Sequence, residues 1–387
     1  MRMVCLCQVT QSNGDLRHSD ATPSCTLGSF GRIVTPYRGR RGTGVQVPGR
    51  VPVRIDETDI DLVLEGGGVK GVGLIGAVKE IDAAGFRIRR VAGTSAGAIA
   101  AALIACNLAK AKTGNDAIAA VERQIATIEY TKFVEESGWR KLLGKVGDLE
   151  ALENNLGLYS GGYLVEWLGG ILEDVGITKF GQLRRDDLGD EFPYTLVVHT
   201  ADITNEMLVR LPYDYPRYDR DPDDQLIVDA VRASMSIPFF FEPVRFELAA
   251  DSSGLGPRPV TWVDGGLLSN FPMEVFNDRH AGVVVDPWPT LGVKLTDQHA
   301  SVAAPTTGPL SELLQILKTV LNNGNRYWIS AEKARSTIFV DSADVDATDF
   351  DIDAAKSNLL FENGRTAART WLEQFAEAVH DQQGAKP

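Results

Sequence analysis

A serine flanked by glycines is the first feature of this sequence that could do chemistry. Ser95 lies in the pentapeptide GTSAG, which fits the pattern Gly-x-Ser-x-Gly with Gly93 and Gly97. A nucleophilic serine on a sharp strand-to-helix turn needs glycine on either side, because neighbouring backbone must pack closely while the hydroxyl points outward. The free N–H groups at the start of the following helix also favour a developing negative charge. The pentapeptide therefore predicts a nucleophile at Ser95.

A second glycine cluster, GGGVKG, lies upstream and also spells the G-x-G-x-x-G pattern of a dinucleotide-binding turn. A dinucleotide fold needs a carboxylate about 20 residues further on to hold the ribose, and none is there, although Arg89 or Arg90 could contact a 2'-phosphate. A Walker A loop does not fit, because the lysine precedes the last glycine. We interpret the loop as an oxyanion hole whose N–H groups stabilise the charge formed when Ser95 attacks an acyl carbonyl. The residues of this predicted oxyanion hole are Gly66, Gly67, Gly68, Lys70 and Gly71.

A serine nucleophile also needs a base, and Asp264 is the candidate. It follows an apolar run and precedes Gly265 and Gly266, which permit close approach of other backbone. An aspartate in such a place can equally be an Asx-turn residue. None of the five histidines lies in a glycine-bounded turn; they are His18, His199, His280, His299 and His380.

Apolar runs around these motifs predict how the motifs are positioned. The run IDLVLE (60–65) is continuous, as expected for a strand covered on both faces. A helical pattern ending near Gly85 follows, and then a second strand (86–92) and a second apolar helix (96–108). A repeated strand-turn-helix unit predicts a parallel sheet covered by helices. Further strands are predicted at 194–202, 260–264, 281–286 and 336–341, and further helices within 107–190, within 226–244, at 310–321 and at 356–379.

Composition bounds the class of protein. The chain has 387 residues, 44% of them hydrophobic, so it can bury a large core. A net charge of −13 argues against a nucleic-acid partner, whose phosphates require a basic surface, and against bulk attraction to an anionic membrane.

The N-terminal residues 1–52 differ from the rest of the chain. Residues 1–50 carry seven Arg and two Asp, a charge of +5, so the remainder carries −18. We expect a basic, disordered arm over 1–52 and a catalytic domain over 53–387. Only one cysteine, Cys106, lies in that domain, so no disulfide framework is expected. With neither a signal peptide nor a membrane-spanning run recognised, a cytoplasmic location is expected, although proteins exported by specialised machinery would look the same.

Four ordered motifs resemble those of patatin-like phospholipases: GGGVKG (66–71), GTSAG (93–97), ASMSIP (233–238) and DGG (264–266), with NFP following the last. The resemblance implies a three-layer α/β/α sandwich with a mainly parallel central sheet. It implies hydrolysis of phospholipids or other acyl lipids by a Ser-Asp dyad without histidine, metal or cofactor. Ser95 would be the nucleophile, Asp264 the base, and the loop 66–71 the oxyanion hole. Lys70 stands where many relatives have Arg, so a bidentate contact would be lost.

Such a dyad makes a physical demand on Asp264. A free aspartate has a pKa near 4 and is a poor acceptor for a serine proton at neutral pH. We therefore expect Asp264 to be desolvated, which raises its pKa, and to lie within hydrogen-bond reach of Ser95.

Two other interpretations stay open. An α/β-hydrolase would use a triad of Ser95, Asp264 and either His280 or His380, and would fail on losing one histidine. A nucleotide-binding module would use the glycine loop as a phosphate cradle and would not need Ser95. The run PFFFEP (238–243) and the predicted helix 310–321 could line an acyl groove or give peripheral membrane contact, but core packing explains both equally well. Asp202 is expected to be structural.

Overall fold

The described residues of the computed structural model begin just before the first predicted strand. They are 58–135, 159–188, 193–249, 257–276, 278–280, 283–285, 288–296, 312, 315, 316, 319, 320 and 331–384. The predicted arm 1–52 and most of the predicted helix 310–321 lie outside them. All long stretches of described residues belong to one compact unit of the chain.

Both glycine motifs join a strand to a helix, as predicted. Strand β1 (Asp59–Leu64) leads through the glycine loop into helix α1 (Val72–Ala83). Strand β2 (Arg87–Thr94) leads through Ser95 into helix α2 (Ala96–Lys110). The first two strands are parallel, with Leu64 opposite Gly93, so both glycine turns lie at the same edge of the sheet.

The remaining elements follow in chain order. The strands are β3 (Leu196–Asp202), β4 (Met207–Leu211), β5 (Val244–Leu248), β6 (Arg258–Asp264), β7 (Asp278–His280), β8 (Val283–Val285), β9 (Thr290–Thr296) and β10 (Thr337–Asp341). The helices are α3 (Gly114–Ile125), α4 (Lys132–Glu135), α5 (Gly162–Val175), α6 (Ile227–Ser234), α7 (Ala331–Arg335) and α8 (Ala354–Gly384). Strands β4, β5, β7 and β9 were not predicted from the sequence.

The central sheet is mainly parallel. Its order is β10-β9-β1-β2-β3-β6-β5, with β4 also paired to β3, and β7 and β8 form a separate pair. The strands from β10 to β3 run parallel, whereas β4, β5 and β6 pair antiparallel. With helices on both sides of this sheet, the predicted α/β class is confirmed.

Strands β2 and β6 meet end to end along one edge of β3, while β4 occupies the other edge. Thr94, the last residue of β2, lies opposite His199, and Asp264, the last residue of β6, lies opposite Thr200. Because the two strands approach from opposite directions, the residues at their carboxyl ends are brought together at neighbouring positions of β3.

The strands that carry the motifs are buried on both faces. Leu62 and Leu64 of β1 pack into the large core shared with the helices, whereas Val63 packs on the other face against Phe271 and Phe276. Such double burial explains the continuous apolar run read from the sequence. None of the helices among the described residues combines the length and the apolar composition that a membrane span needs.

Candidate active site

Ser95 lies on a strained turn between β2 and α2. Its backbone has φ 54° and ψ −124°, a conformation that a residue with a side chain rarely adopts and that costs about 1–3 kcal/mol. Both flanking glycines are required sterically. A Cβ at Gly93 would lie 2.1 Å from the carbonyl oxygen of Gly97, and a Cβ at Gly97 would lie 2.4 Å from the carbonyl oxygen of Leu64. The sharp turn predicted from the pentapeptide is therefore present.

A second serine holds the backbone of this turn. The Ser95 N–H donates to Ser234 Oγ at 2.8 Å, and the Ser234 hydroxyl donates to the carbonyl oxygen of His199 at 2.6 Å. The Ser95 carbonyl accepts from Ala98 N at 2.8 Å, the first turn of α2. Ser234 belongs to the ASMSIP motif, but nothing in the spacing of that motif indicated which backbone group its hydroxyl would hold.

Asp264 lies at the end of β6 and is 1% exposed, so the predicted desolvation is observed. Its N–H donates to the Ser236 carbonyl at 2.9 Å, and its Oδ1 accepts from Gly266 N at 2.7 Å. Gly265 permits the close approach expected of it, since a Cβ there would lie 2.4 Å from the His199 carbonyl oxygen.

The electrostatics of Asp264 are those of a base at neutral pH. Burial raises its pKa to about 7, against the smaller lowering effects of the bonds from Gly266 and Ser95. Among the described residues, Oδ2 has no hydrogen-bond partner. Oδ2 is thus the carboxylate oxygen left to accept a proton.

The glycine loop offers fewer donors than its sequence contains. The Gly66 N–H donates to the Asn270 carbonyl at 3.0 Å, and the Lys70 N–H donates to the Gly67 carbonyl at 3.2 Å. The N–H groups of Gly67 and Gly68 have no acceptor among the described residues. Within the predicted oxyanion hole, these two groups are therefore the ones open to a ligand.

Gly68 and Gly71 also have steric roles in this loop. Gly68 has φ +57°, and a Cβ there would lie 1.8 Å from the carbonyl oxygen of Ala347. A Cβ at Gly71 would lie 2.9 Å from Cβ of Ala96, the residue after the candidate nucleophile. The loop consequently packs tightly against both the Ser95 turn and the segment before α8.

Asn270 makes two hydrogen bonds with the backbone of Gly66. Its carbonyl accepts the Gly66 N–H, and its Nδ2 donates to the Gly66 carbonyl at 2.9 Å. NFP carried only the family resemblance, so the positioning role of Asn270 was not predicted. An amide side chain four residues after Gly266 was the available signal.

A buried ion pair supports the base of the loop. The Glu65 carboxylate accepts from Lys294 Nζ and from Leu295 N, the latter at 2.7 Å. Burial raises the pKa of Glu65, against the lowering effect of Lys294. Lys70 is itself buried, and its charge also acts on Glu65. Lys70 therefore belongs to the charged support under the loop.

His199 is the histidine whose side-chain surroundings are described, and it is neutral at physiological pH. Burial lowers its pKa to about 4, and its ring bonds to the backbone of Gly93. It is thus adjacent to the Ser95 turn, and its Nδ1 has no hydrogen-bond partner among the described residues. The side chains of the other histidines, including His280 and His380, lie outside the described residues.

Asp202, expected to be structural, has its carboxylate fully used. Oδ1 accepts from Thr204 N and Asn205 N, and Oδ2 accepts from Asn205 Nδ2 and from Tyr218 OH at 2.7 Å. Among the described residues, no cluster of three His, Cys, Asp or Glu side chains is arranged to hold a metal ion.

Comparison with known proteins places these features in a family. The family model described as patatin-like phospholipase matches residues 62–277. The uncharacterized protein YqhO of Bacillus subtilis (strain 168) is 32% identical over 317 residues, which cover 82% of this chain and 99% of YqhO. Among solved structures, VipD of Legionella pneumophila is similar with a TM-score of 0.45 and 17% identity, covering 82% of this chain and 67% of VipD. ExoU, in the ExoU-SpcU complex of the Pseudomonas aeruginosa type III secretion system, has a TM-score of 0.41 and 17% identity, covering 82% of this chain and 52% of its own length.

Proposed function

Because this chain belongs to the patatin-like phospholipase family, we propose that it is a serine acyl hydrolase that cleaves lipid acyl esters through Ser95 and Asp264. One observation carries the proposal. A serine on a strained turn and a buried carboxylate are brought together where β2 and β6 meet on β3. The substrate class, a phospholipid or related acyl lipid, comes from the family.

The first step is proton transfer from Ser95 to Asp264. A pKa raised from 3.8 to about 7 makes this carboxylate a far better proton acceptor than a free aspartate. Ser95 Oγ then attacks the acyl carbonyl carbon, and the carbonyl oxygen becomes an oxyanion. The open N–H groups of Gly67 and Gly68 are the proposed donors to that oxyanion.

Collapse of the tetrahedral intermediate expels the leaving alcohol. Protonated Asp264 gives its proton to the alcohol oxygen as the carbon–oxygen bond breaks, which leaves an acyl ester on Ser95. In the second half, the same carboxylate takes a proton from water as the water oxygen attacks the acyl carbon. The proton then returns to Ser95 Oγ and the fatty acid leaves, so one carboxylate serves both halves.

The first experiment is a substrate panel with matched variants. Fatty acid released from mixed phospholipids and monoglycerides is measured by mass spectrometry for the intact chain, Ser95→Ala, Asp264→Asn, and single Gln variants of each histidine. We expect release to disappear with Ser95→Ala and Asp264→Asn. It should survive every histidine substitution in protein that a thermal melt shows to be folded.

Two results would overturn the proposal. If His280→Gln or His380→Gln abolishes release in folded protein, the triad interpretation is right. If NADPH binds and Ser95→Ala changes no activity, the loop is a phosphate cradle instead.

The division of the chain is also a proposal. We assign catalysis to 53–387 and no catalytic role to 1–52. A variant lacking 1–52 should therefore keep the activity of the full chain, and its loss would assign a function to those residues.

A further inference from the structure

An apolar pocket lies directly beside the candidate nucleophile. It is a narrow cleft that is partly open to solvent. Its lining residues are Gly68, Val69, Gly71, Ala96, Ile99, Ala100, Ile125, Ile128, Tyr130, Phe133, Met235, Ile237 and Phe350. The lining contains no charged side chain, so the pocket suits a hydrocarbon chain and not a phosphate or an amine.

The pocket is continuous with the groups proposed to do chemistry. Ala96 follows Ser95 in the chain, and Gly68 carries one of the two open N–H groups. Met235 and Ile237 flank the residue whose carbonyl holds the Asp264 N–H. An acyl group on Ser95 with its oxygen at the glycine loop would therefore have its hydrocarbon chain at the mouth of this pocket.

Aromatic rings form one wall of the pocket. The rings of Phe133 and Phe350 lie 5.9 Å apart between centroids, and Tyr130 stacks on Phe133 at 6.4 Å. Phe241 packs edge-on against Phe350 at 6.2 Å. Packed aromatic rings are stiff, so this wall limits the space that an entering chain can occupy.

Phe350 comes from a part of the chain beyond the residues that match the family model, which end at 277. It lies in the segment 342–352, between β10 and α8. That segment also touches the glycine loop, because the Ala347 carbonyl accepts the Val69 N–H at 3.2 Å and packs on Gly68. One segment outside the matched span thus contacts both the pocket and the loop.

We propose that this pocket holds the acyl chain being cleaved, and that Phe350 sets the longest chain the enzyme accepts. The inference rests on the proposed function, since it assigns the acyl side of the same site. The pocket would hold one acyl chain per catalytic event, and the segment 342–352 would determine the longest chain that fits.

The expected effect is large enough to measure. Each methylene group moved from water into an apolar pocket changes kcat/KM by about fourfold. Beyond the length at which the chain reaches the aromatic wall, further methylene groups gain nothing or clash.

The experiment uses aryl esters from acetyl through butyryl, octanoyl and dodecanoyl to palmitoyl, with the ratio of each kcat/KM to that of the acetyl ester as readout. This ratio cancels any loss of folded protein. Phe350→Leu should shift the longest accepted chain upward. Ala100→Leu, which adds volume inside the lining, should shift it downward. Phe339→Leu is the matched control, because Phe339 is 42% exposed on β10 and does not line the pocket.

The two levels of the proposal fail differently. If hydrolysis depends on Ser95 but the length limit is the same in Phe350→Leu, Ala100→Leu and wild type, the pocket assignment is wrong and the proposed function stands. If no ester is cleaved, the proposed function fails. The pocket is then tested in Ser95→Ala by displacement of a fluorescent fatty acid with unlabelled fatty acids of graded length. An unchanged displacement limit in Phe350→Leu would overturn the pocket assignment there as well.

Discussion

Two buried aspartates on the central sheet differ in their charged partners. Asp61 on β1 is fully buried and lies opposite Arg90 of β2, whose Nε donates to it at 2.9 Å. The Arg90 guanidinium also stacks on the ring of Phe276 at 4.5 Å. Asp264, at the end of β6, is equally buried but is paired with no Lys or Arg among the described residues.

The difference separates a structural carboxylate from a reactive one. A buried carboxylate that is matched by a guanidinium has its charge compensated by a fixed partner. A buried carboxylate without a cation has its pKa raised, so for Asp264 a proton moves on and off near pH 7. Unpaired burial costs stability, and such costs concentrate at functional sites.

The largest contrast should appear in activity. We expect Asp264→Asn to lower kcat by at least about a thousandfold, as loss of a catalytic base does in other serine hydrolases. Asp61→Asn should keep the specific activity of whatever protein remains folded. Steady-state assays normalised to the folded fraction measure both variants. Equal losses of activity would contradict the distinction between the two aspartates.

The free energy of unfolding should depend more on the Asp61–Arg90 pair than on an ionised Asp264. Arg90→Met removes the guanidinium that pairs with the buried Asp61 carboxylate and should cost about 3–5 kcal/mol of unfolding free energy. The double variant Asp61→Leu/Arg90→Met should recover most of that loss, because it removes both charges. Urea denaturation measures both, and a double variant as unstable as the single one would contradict the account.

Asp264→Asn should be stabilising at high pH. The folded-state pKa of about 7 lies above the ordinary value of 3.8, so the folded protein binds this proton more tightly than the unfolded chain does. This contribution is fully present below the unfolded pKa and is lost as pH rises through about 7, by up to about 4 kcal/mol. Urea melts of both proteins should therefore differ most above about pH 8. Equal free energies of unfolding of the two proteins above about pH 8 would mean that burial does not raise the pKa of Asp264.

The rate of catalysis should depend on the same pKa of Asp264. Catalysis needs the unprotonated carboxylate, whereas stability favours the protonated one. Since the base must be unprotonated, kcat/KM should fall about tenfold per pH unit below a limb near 7. The readout is a rate profile with a soluble acyl ester. A limb near 4 would instead describe an ordinary exposed aspartate.

The smallest expected effect concerns a positioning residue. Asn270→Ala removes the Nδ2 bond to Gly66 and should lower kcat about tenfold with little change in KM, because the loop amides shift from the oxyanion. Asn363→Ala is the matched control. Its Nδ2 donates to the Asp341 carbonyl at 3.1 Å, and this bond does not involve the Ser95 turn. Equal effects of the two substitutions would assign Asn270 a purely structural role.

Local patterns predicted the first two strand-turn-helix units and the turn at Ser95, because glycine spacing and apolar runs are read along the chain. The burial of Asp264 was predicted instead from the chemistry of the dyad that the family resemblance implied. The end-to-end meeting of β2 and β6 on β3 was not predictable, since it depends on long-range antiparallel pairing. Strands β4 and β5 are only five residues long, and β5 was missed although its sequence VRFEL alternates apolar and charged residues.

Single polar residues were harder still. Arg89 and Arg90 are neighbours in the same predicted strand, and nothing in the sequence says that Arg90 would be buried against Asp61. The same holds for Ser234, whose hydroxyl bonds to backbone more than a hundred residues away in the chain. These contacts exist only once the sheet has formed.

The most direct test of the Ser95–Asp264 pairing is covalent labelling with a lipid-like fluorophosphonate, followed by peptide mass spectrometry at a series of pH values. The account predicts one adduct, on Ser95, with a labelling rate that rises through about pH 7 in the intact chain and is largely lost in Asp264→Asn. An adduct on another residue, or labelling of Ser95 that is equally fast in Asp264→Asn, would contradict it.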